Sequence, residues 1–262
     1  MNIWVLAKVF MLSVSTQIAK EDDLSVFASM LSSVSFAEEI VIFNLERNDA
    51  AALKLFKQFN AKVINTKTPQ VVEQIRTRQI KETKGDWVLI MDFDETVTPS
   101  LAQEIRGIIK GIPAAFALKR RNYSLGFPLR HGGWGDDYVA RLFHKSVFID
   151  WPTNIHSTPR IKGEYRKLTH FLEHHKDASL SQMVAKTNRY SDIEAKLFFT
   201  GNLPPVTTVT LLRKPIMEFV RRYFFKLGFL DGRIGLIQSI YQGFSVFISY
   251  AKLYEKQKSI NR

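Results

Sequence analysis

The chain has 262 residues, 45% of them hydrophobic and 24% charged. That is enough for one α/β domain with a full core and a short appendage, and it excludes a disordered or low-complexity chain. There is no cysteine, so disulfides, thiolate nucleophiles and cysteine metal sites are excluded, although the compartment is not fixed by this. The formal charge is +12, and it gathers toward the end: from residue 201 to 262, ten lysines and arginines stand against three acids. Such a balance suits an anionic membrane surface or nucleic acid, and equally a solvated basic face.

The opening MNIWVLAKVFML is apolar but interrupted by Lys8. With no basic leader before it and no small-residue cleavage site after it, it reads as the lead-in to a first strand. Residues 11–15, 39–43 and 87–91 read as buried strands, 61–64 as a shorter one, and 24–34 and 50–59 have helical spacing. A further helix starts near Pro99. This alternation predicts a mostly parallel, doubly wound sheet flanked by helices, whose ligands collect at the carboxyl ends of its strands. Residues 114–118 read as another strand, and 120–137, rich in Gly, aromatic and basic residues, as a loop with binding-site chemistry. Beyond Pro204-Pro205 the pattern turns helical, which places a domain over 1–205 and a basic helical tail over 206–262.

The strongest local feature is Gly85-Asp86-Trp87-Val88-Leu89-Ile90-Met91-Asp92-Phe93-Asp94-Glu95. Carboxylates at i and i+2 of a strand face one side, so Asp92 and Asp94 can converge on one ligand. Paired hard oxygens suit Mg²⁺ or Mn²⁺, which can neutralise a departing diphosphate. The same residues also fit an acidic turn ahead of the helix near Pro99. The run Asp92-Phe93-Asp94-Glu95-Thr96 resembles motif I of the haloacid dehalogenase-type phosphatases as well, in which Asp92 would be the phosphoryl-accepting nucleophile.

Downstream lie Arg120-Arg121-Asn122-Tyr123-Ser124-Leu125-Gly126, then Gly132-Gly133-Trp134-Gly135-Asp136-Asp137-Tyr138-Val139-Ala140-Arg141-Leu142-Phe143, then Ile155-His156. Together with the acidic strand end these resemble the family 2 glycosyltransferases of the lipopolysaccharide-core and surface-polysaccharide kind, over about half the chain. The resemblance implies a GT-A (Rossmann-like) fold and a D-x-D motif at Asp92 and Asp94. Asp92 would contact donor ribose and diphosphate, and Asp94 would hold the metal, Mg²⁺ or Mn²⁺. Asp137 would be the base that deprotonates an acceptor hydroxyl, with Asp136 as the fallback in register. Trp134, Arg141 and His156 would be acceptor or phosphate contacts. The reaction implied is inverting transfer from a nucleotide-sugar to a glycan or lipid-linked acceptor in cell-envelope synthesis.

The nucleotide-binding half departs from the family pattern. Asn44 stands where an aspartate is usual, Arg76-Thr77 replaces an Arg-Asn pair, and Ser157 replaces the glutamate after His156. Asn44 can still hydrogen-bond a base edge, and Arg76 remains a donor-binding candidate. These changes keep a non-catalytic, membrane-associated relative in view.

In the tail, residues 214–230 read as an amphipathic helix carrying Arg221, Arg222 and Lys226. A second stretch, 234–251, has a polar stripe of Gln238, Gln242, Ser245 and Ser249 opposite Ile237, Tyr241, Phe244 and Ile248. That pattern predicts a helix lying on a membrane surface, or docked on its own domain, and not one crossing the bilayer. Gly228-Phe229-Leu230-Asp231-Gly232 extends the resemblance into this region. It implies a cytoplasmic protein, peripheral on the inner face of the cytoplasmic membrane, with no nucleic-acid module accompanying the basic residues.

Overall fold

The computed structural model describes residues 10–135, 137–154, 157–177 and 179–259. The chain forms two compact units: Met1–Arg120 with Tyr138–His174, and Arg121–Asp137 with His175–Arg262.

The first unit starts as read. Strands β1 (Leu12–Ala19), β2 (Glu39–Leu45), β3 (Lys62–Thr66) and β4 (Trp87–Met91) pair in parallel in the order β3-β2-β1-β4. Every residue of β1 and of β4 is buried, as parallel strands covered on both faces must be. The connecting helices are α1 (Leu24–Ser33), α2 (Ala50–Gln58) and α3 (Glu73–Lys81). Asp23 caps α1 by accepting from the Ser25 and Val26 amides, and Asp49 caps α2 by accepting from Ala52. Phe27, Met30, Leu31 and Phe56 from these helices join Leu12, Val14, Ile42 and Leu89 in the main core. After β5 (Glu95–Val97), Thr98 caps α4 (Pro99–Ile108), with Pro99 in the first turn, where no amide proton is needed.

The remaining strands are β6 (Ala115–Ser124), β7 (Phe127–Leu129), β8 (Asp137–His144), β9 (Phe148–Asp150), β10 (Arg160–Ile161) and β11 (Tyr165–Asp177). They extend the sheet to β3-β2-β1-β4-β8-β6-β11-β5. β8 runs antiparallel to β4, and β11 antiparallel to β5. The fold is thus the expected α/β class, a parallel sheet flanked by helices, with an antiparallel extension beyond β4 and a long C-terminal helix.

Several local expectations need correction. Residues 120–137 are not one loop, since β6 runs on to Ser124 and turns back into β7. Leu125 and Gly126 make that turn with φ of 51° and 81°, the two-residue hairpin geometry that matches strand twist. Helix begins well before Pro204, in α5 (Leu180–Thr200). β11 was not anticipated, because its His and Lys residues mask the inward positions Leu168, Leu172 and His174.

In the second unit, α5 and α6 (Thr208–Val220) both pack on α7 (Gly232–Ser259). The continuous helix expected over 214–230 is broken. After α6 come one π turn (Arg221–Phe225), a left-handed Leu227 with φ 58°, and one 3-10 turn (Gly228–Asp231). The polar stripe of α7 is only partly covered: Gln238 and Ser249 are buried and Gln242 and Ser245 half-buried, while of the opposite set Ile237 and Phe244 are exposed, Ile248 half-buried and Tyr241 buried. Among the described residues no helix is long and apolar enough to cross a membrane.

Candidate active site

The acidic pair lies just past the end of β4. The chain turns at once, with the Glu95 amide donating to the Asp92 carbonyl at 3.2 Å and the Asp92 amide donating to Glu95 Oε2 at 2.9 Å. Asp92 and Asp94 therefore sit in a turn and not on a strand face, so the alternation argument for their convergence does not apply. They meet different partners.

Asp92 is enclosed by cations. Its Oδ1 accepts from Gln17 Nε2 at 2.9 Å and pairs with Arg76 Nη2, and its Oδ2 pairs with Arg141 Nη2. The same Arg141 nitrogen donates to Glu95 Oε1 at 2.8 Å, and Arg120 reaches that oxygen at 3.5 Å. Arg76 also donates to Gln17 and Gln79, both at 3.1 Å, and lies 5.5 Å over the Trp151 ring. Arg76, Arg141 and Glu95 are buried. Burial alone would raise the Asp92 pKa, but the guanidiniums of Arg141 and Arg76 hold it well below the ordinary carboxylate value. Burial would likewise lower that of Arg141, and Asp92 and Glu95 reverse the sign and raise it. Asp92 is a fixed anion. Arg141 Nε, buried, has no hydrogen-bond partner among the described residues.

Asp94 is buried beside β11, its Oδ1 3.7 Å from His174 Nε2, each side chain 10% exposed. Metal–ligand bonds of about 2.0–2.2 Å let two donor atoms up to ~4 Å apart share one ion. A carboxylate oxygen and an imidazole nitrogen at this separation suit Mn²⁺ with further ligands from outside the protein, whereas Mg²⁺, which takes oxygen donors, would draw on Asp94 alone. Among the described residues there is no cluster of three or more such side chains. From the sequence, His170, His174 and His175 lack a metal-ligand partner set; the fold brings His174 to Asp94 through its register opposite Glu95 on β5.

Asn44 is the next-to-last residue of β2 and is buried. Its Nδ2 donates to the Arg47 carbonyl and to Asn65 Oδ1, both at 2.9 Å, and its Oδ1 accepts the Arg47 amide at 3.1 Å. Asn44 thus closes the turn into α2, and Arg47 pairs with the cap Asp49 at 2.6 Å.

In the second unit, Asp137 opens β8, and Asn122 on β6 holds it. Asn122 Nδ2 donates to Asp137 Oδ2 and to the Trp134 carbonyl, each at 3.0 Å. Trp134 is buried, one ring face covered by the Arg222 guanidinium at 4.6 Å. Its loop is tied to the turn after α6. The Gly132 amide donates to the Lys226 carbonyl at 2.7 Å, and Arg222 Nη1 donates to the Gly132 carbonyl at 2.9 Å. Asp231 accepts from the Arg130 and His131 amides at 2.9 and 2.8 Å, and meets His131 Nδ1 at 2.7 Å. Asp136 and His156 lie outside the described residues.

No family model matches the chain. A Rickettsia bellii protein described as an uncharacterized glycosyltransferase is 24% identical over 270 residues, 93% of this chain and 86% of its own length. A Rickettsia typhi protein of the same description is 26% identical over 94% of this chain and 88% of its own. Among solved structures, a mannosyltransferase from Pyrobaculum calidifontis, in complex with GDP-Man and Mn²⁺, covers 97% of this chain and 88% of its own with TM-score 0.49 and 10% identity. S. aureus TarS covers 96% of this chain with TM-score 0.42 and 11% identity, and this chain spans 53% of that one. The full-length sequence similarity supports a glycosyltransferase.

Proposed function

We propose that the protein is a family 2-type, inverting glycosyltransferase of GT-A fold acting in cell-envelope polysaccharide synthesis, resembling the lipopolysaccharide-core enzymes. It would move a sugar from a nucleotide-sugar donor to a hydroxyl of a glycan or lipid-linked acceptor, working cytoplasmically at the inner face of the cytoplasmic membrane. The observation that carries this reading is the strand end. Asp92 and Asp94 follow the last residue of β4, in the parallel half of the sheet, where α/β folds gather ligands. The chain's relatives along 93% of its length bear the glycosyltransferase description.

In this reading Asp94, with His174 beside it, would hold Mg²⁺ or Mn²⁺, whose charge would offset that of the departing diphosphate. Asp92 and Arg76, which pair with each other, would form the donor side of the site, and Asn44, which closes the turn into α2, would shape its nucleotide end. Asp137 accepts the proton of the acceptor hydroxyl as its oxygen bonds to the anomeric carbon. The bond to the diphosphate oxygen breaks on the opposite face, the nucleoside diphosphate leaves with the electron pair, and the anomeric centre inverts. Asn122 orients the Asp137 carboxylate through its 3.0 Å bond. Trp134, Arg141 and His156 would complete the acceptor and phosphate contacts.

The phosphatase reading asks Asp92 to attack phosphorus. Both its oxygens are already engaged, Oδ1 by Arg76 and Gln17 and Oδ2 by Arg141, which disfavours it as a free nucleophile. Asp137→Asn tests the transferase. It should retain donor binding while transfer falls about 10²–10⁴-fold, the range for loss of a positioned base. Unchanged transfer would remove Asp137 from that role.

A further inference from the structure

The second unit has its own apolar core around Ala195, Val206 and Leu253, yet part of α7 and the turn before it expose apolar side chains. Helix α7 turns Gln238 toward Ser124 and Ser249 toward Glu194 at 2.6 Å, both inside the unit. It presents Ile237, Ile240, Phe244 and Phe247 to the outside. The turn before it does the same in a more concentrated form. Phe225 is 80% exposed, Leu230 55% and Phe224 54%, with Leu227 and Phe229 exposed beside them. These side chains occupy one short stretch that packs closely on the start of α7: a Cβ on Gly235 would lie 1.8 Å from the Gly228 carbonyl oxygen. Neighbouring exposed apolar residues on a built turn mark an interaction surface.

Charge decides the occupant. Glu218 is spent on Arg221 and Arg222, at 2.7 and 2.6 Å. Asp231 is spent on the Arg130 and His131 amides. Lys226 within the turn and Arg233 just after it are exposed with no acidic partner among the described residues. A second copy docked symmetrically would set these cations against themselves. An anionic bilayer satisfies both features, taking the aromatic and leucine side chains into its acyl boundary and the cations among its headgroups.

We propose that the turn Arg221–Asp231 is an interfacial anchor that inserts Phe224, Phe225, Leu227, Phe229 and Leu230 into an anionic lipid bilayer. This deepens the membrane part of the reading above by naming the element and the lipid chemistry. The turn that docks is also the one that holds the Arg130–Trp134 loop, through Lys226 and Arg222 at Gly132 and Asp231 at the Arg130 and His131 amides.

The test is flotation of the full chain with phosphatidylcholine vesicles, with and without phosphatidylglycerol. No sugar transfer enters the measurement, so this proposal and the transferase reading can fail separately. The wild type should float with phosphatidylglycerol vesicles and release as salt rises. The double variant Phe225→Ser/Leu230→Ser should bind at least about 10-fold more weakly, since each side chain loses its apolar transfer. Both positions are exposed, so melting should be unchanged. Arg233→Glu should weaken binding without touching the apolar set. Absence of flotation, or a double variant that floats like wild type, would overturn the proposal. So would a concentration-dependent dimer abolished by the double variant in protein that does not float, which would assign the face to a second copy.

Discussion

Arg141 reaches Asp92 across 49 positions of sequence and, with the same Nη2, holds Glu95 at 2.8 Å. One side chain on β8 thereby ties together both ends of the turn that follows β4. The acidic motif is a built ion-pair network in which Arg76, Gln17 and Arg120 complete the shell. Its oxygens are positioned before any ligand arrives.

Breaking this network should cost stability before it costs chemistry. Arg141→Met removes the cation between two carboxylates, one of them fully buried. Arg76 stays on Asp92 and Arg120 stays 3.5 Å from Glu95, so the loss should approach but not exceed about 3–5 kcal/mol, the cost of a buried charge left without its partner. Urea unfolding should show a loss of that order, and a change under about 1 kcal/mol would mean that the pairs are solvent-screened.

The same network sets a pH dependence. Folding depresses the Asp92 pKa from its reference of 3.8, so its contribution is complete above that value and is lost as pH falls through the lower folded one. Melting temperature should therefore drop on acidification below about pH 4. Arg76→Met, which removes one of the two cations, should carry less of this acid-side contribution and show a shallower drop. Parallel melting curves for the two proteins would contradict the assignment.

Metal binding separates Asp94 from Asp92. Titration of Mn²⁺ followed by electron paramagnetic resonance should show binding weakened at least about 10-fold by Asp94→Ala and also by His174→Ala. Wild-type affinity in His174→Ala would leave Asp94 without the neighbour assigned to it.

The strand ends were legible because burial on both faces leaves apolar runs, as in Trp87–Met91, and because acids follow directly. The α1 and α2 boundaries were legible from their spacing, and Asp23 and Asp49 cap them. What escaped were long-range relations. Gln17 and Asp92 are 75 residues apart, and nothing local marks Gln17 as a partner. His174 lies on a strand whose outward Lys and His residues hide its alternation. The α7 stripe separates only in part, since Tyr241 of the apolar set is buried with Gln238 and Ser249, and periodicity does not say which face is covered. Here Ser124 and Glu194 meet Gln238 and Ser249. The break after Val220 has no strong sequence signal, since it depends on Leu227 adopting a left-handed φ of 58°.

The central claim is tested most directly by binding and slow hydrolysis of a nucleotide-sugar panel, wild type beside Asp94→Ala, with a simple phosphate ester as control. The account predicts that one donor releases its nucleoside diphosphate in the presence of Mn²⁺ or Mg²⁺, and that this release is lost in Asp94→Ala while the phosphate ester is untouched. Phosphate-ester turnover without nucleotide-sugar binding, or well-folded protein inert toward every donor, would contradict it.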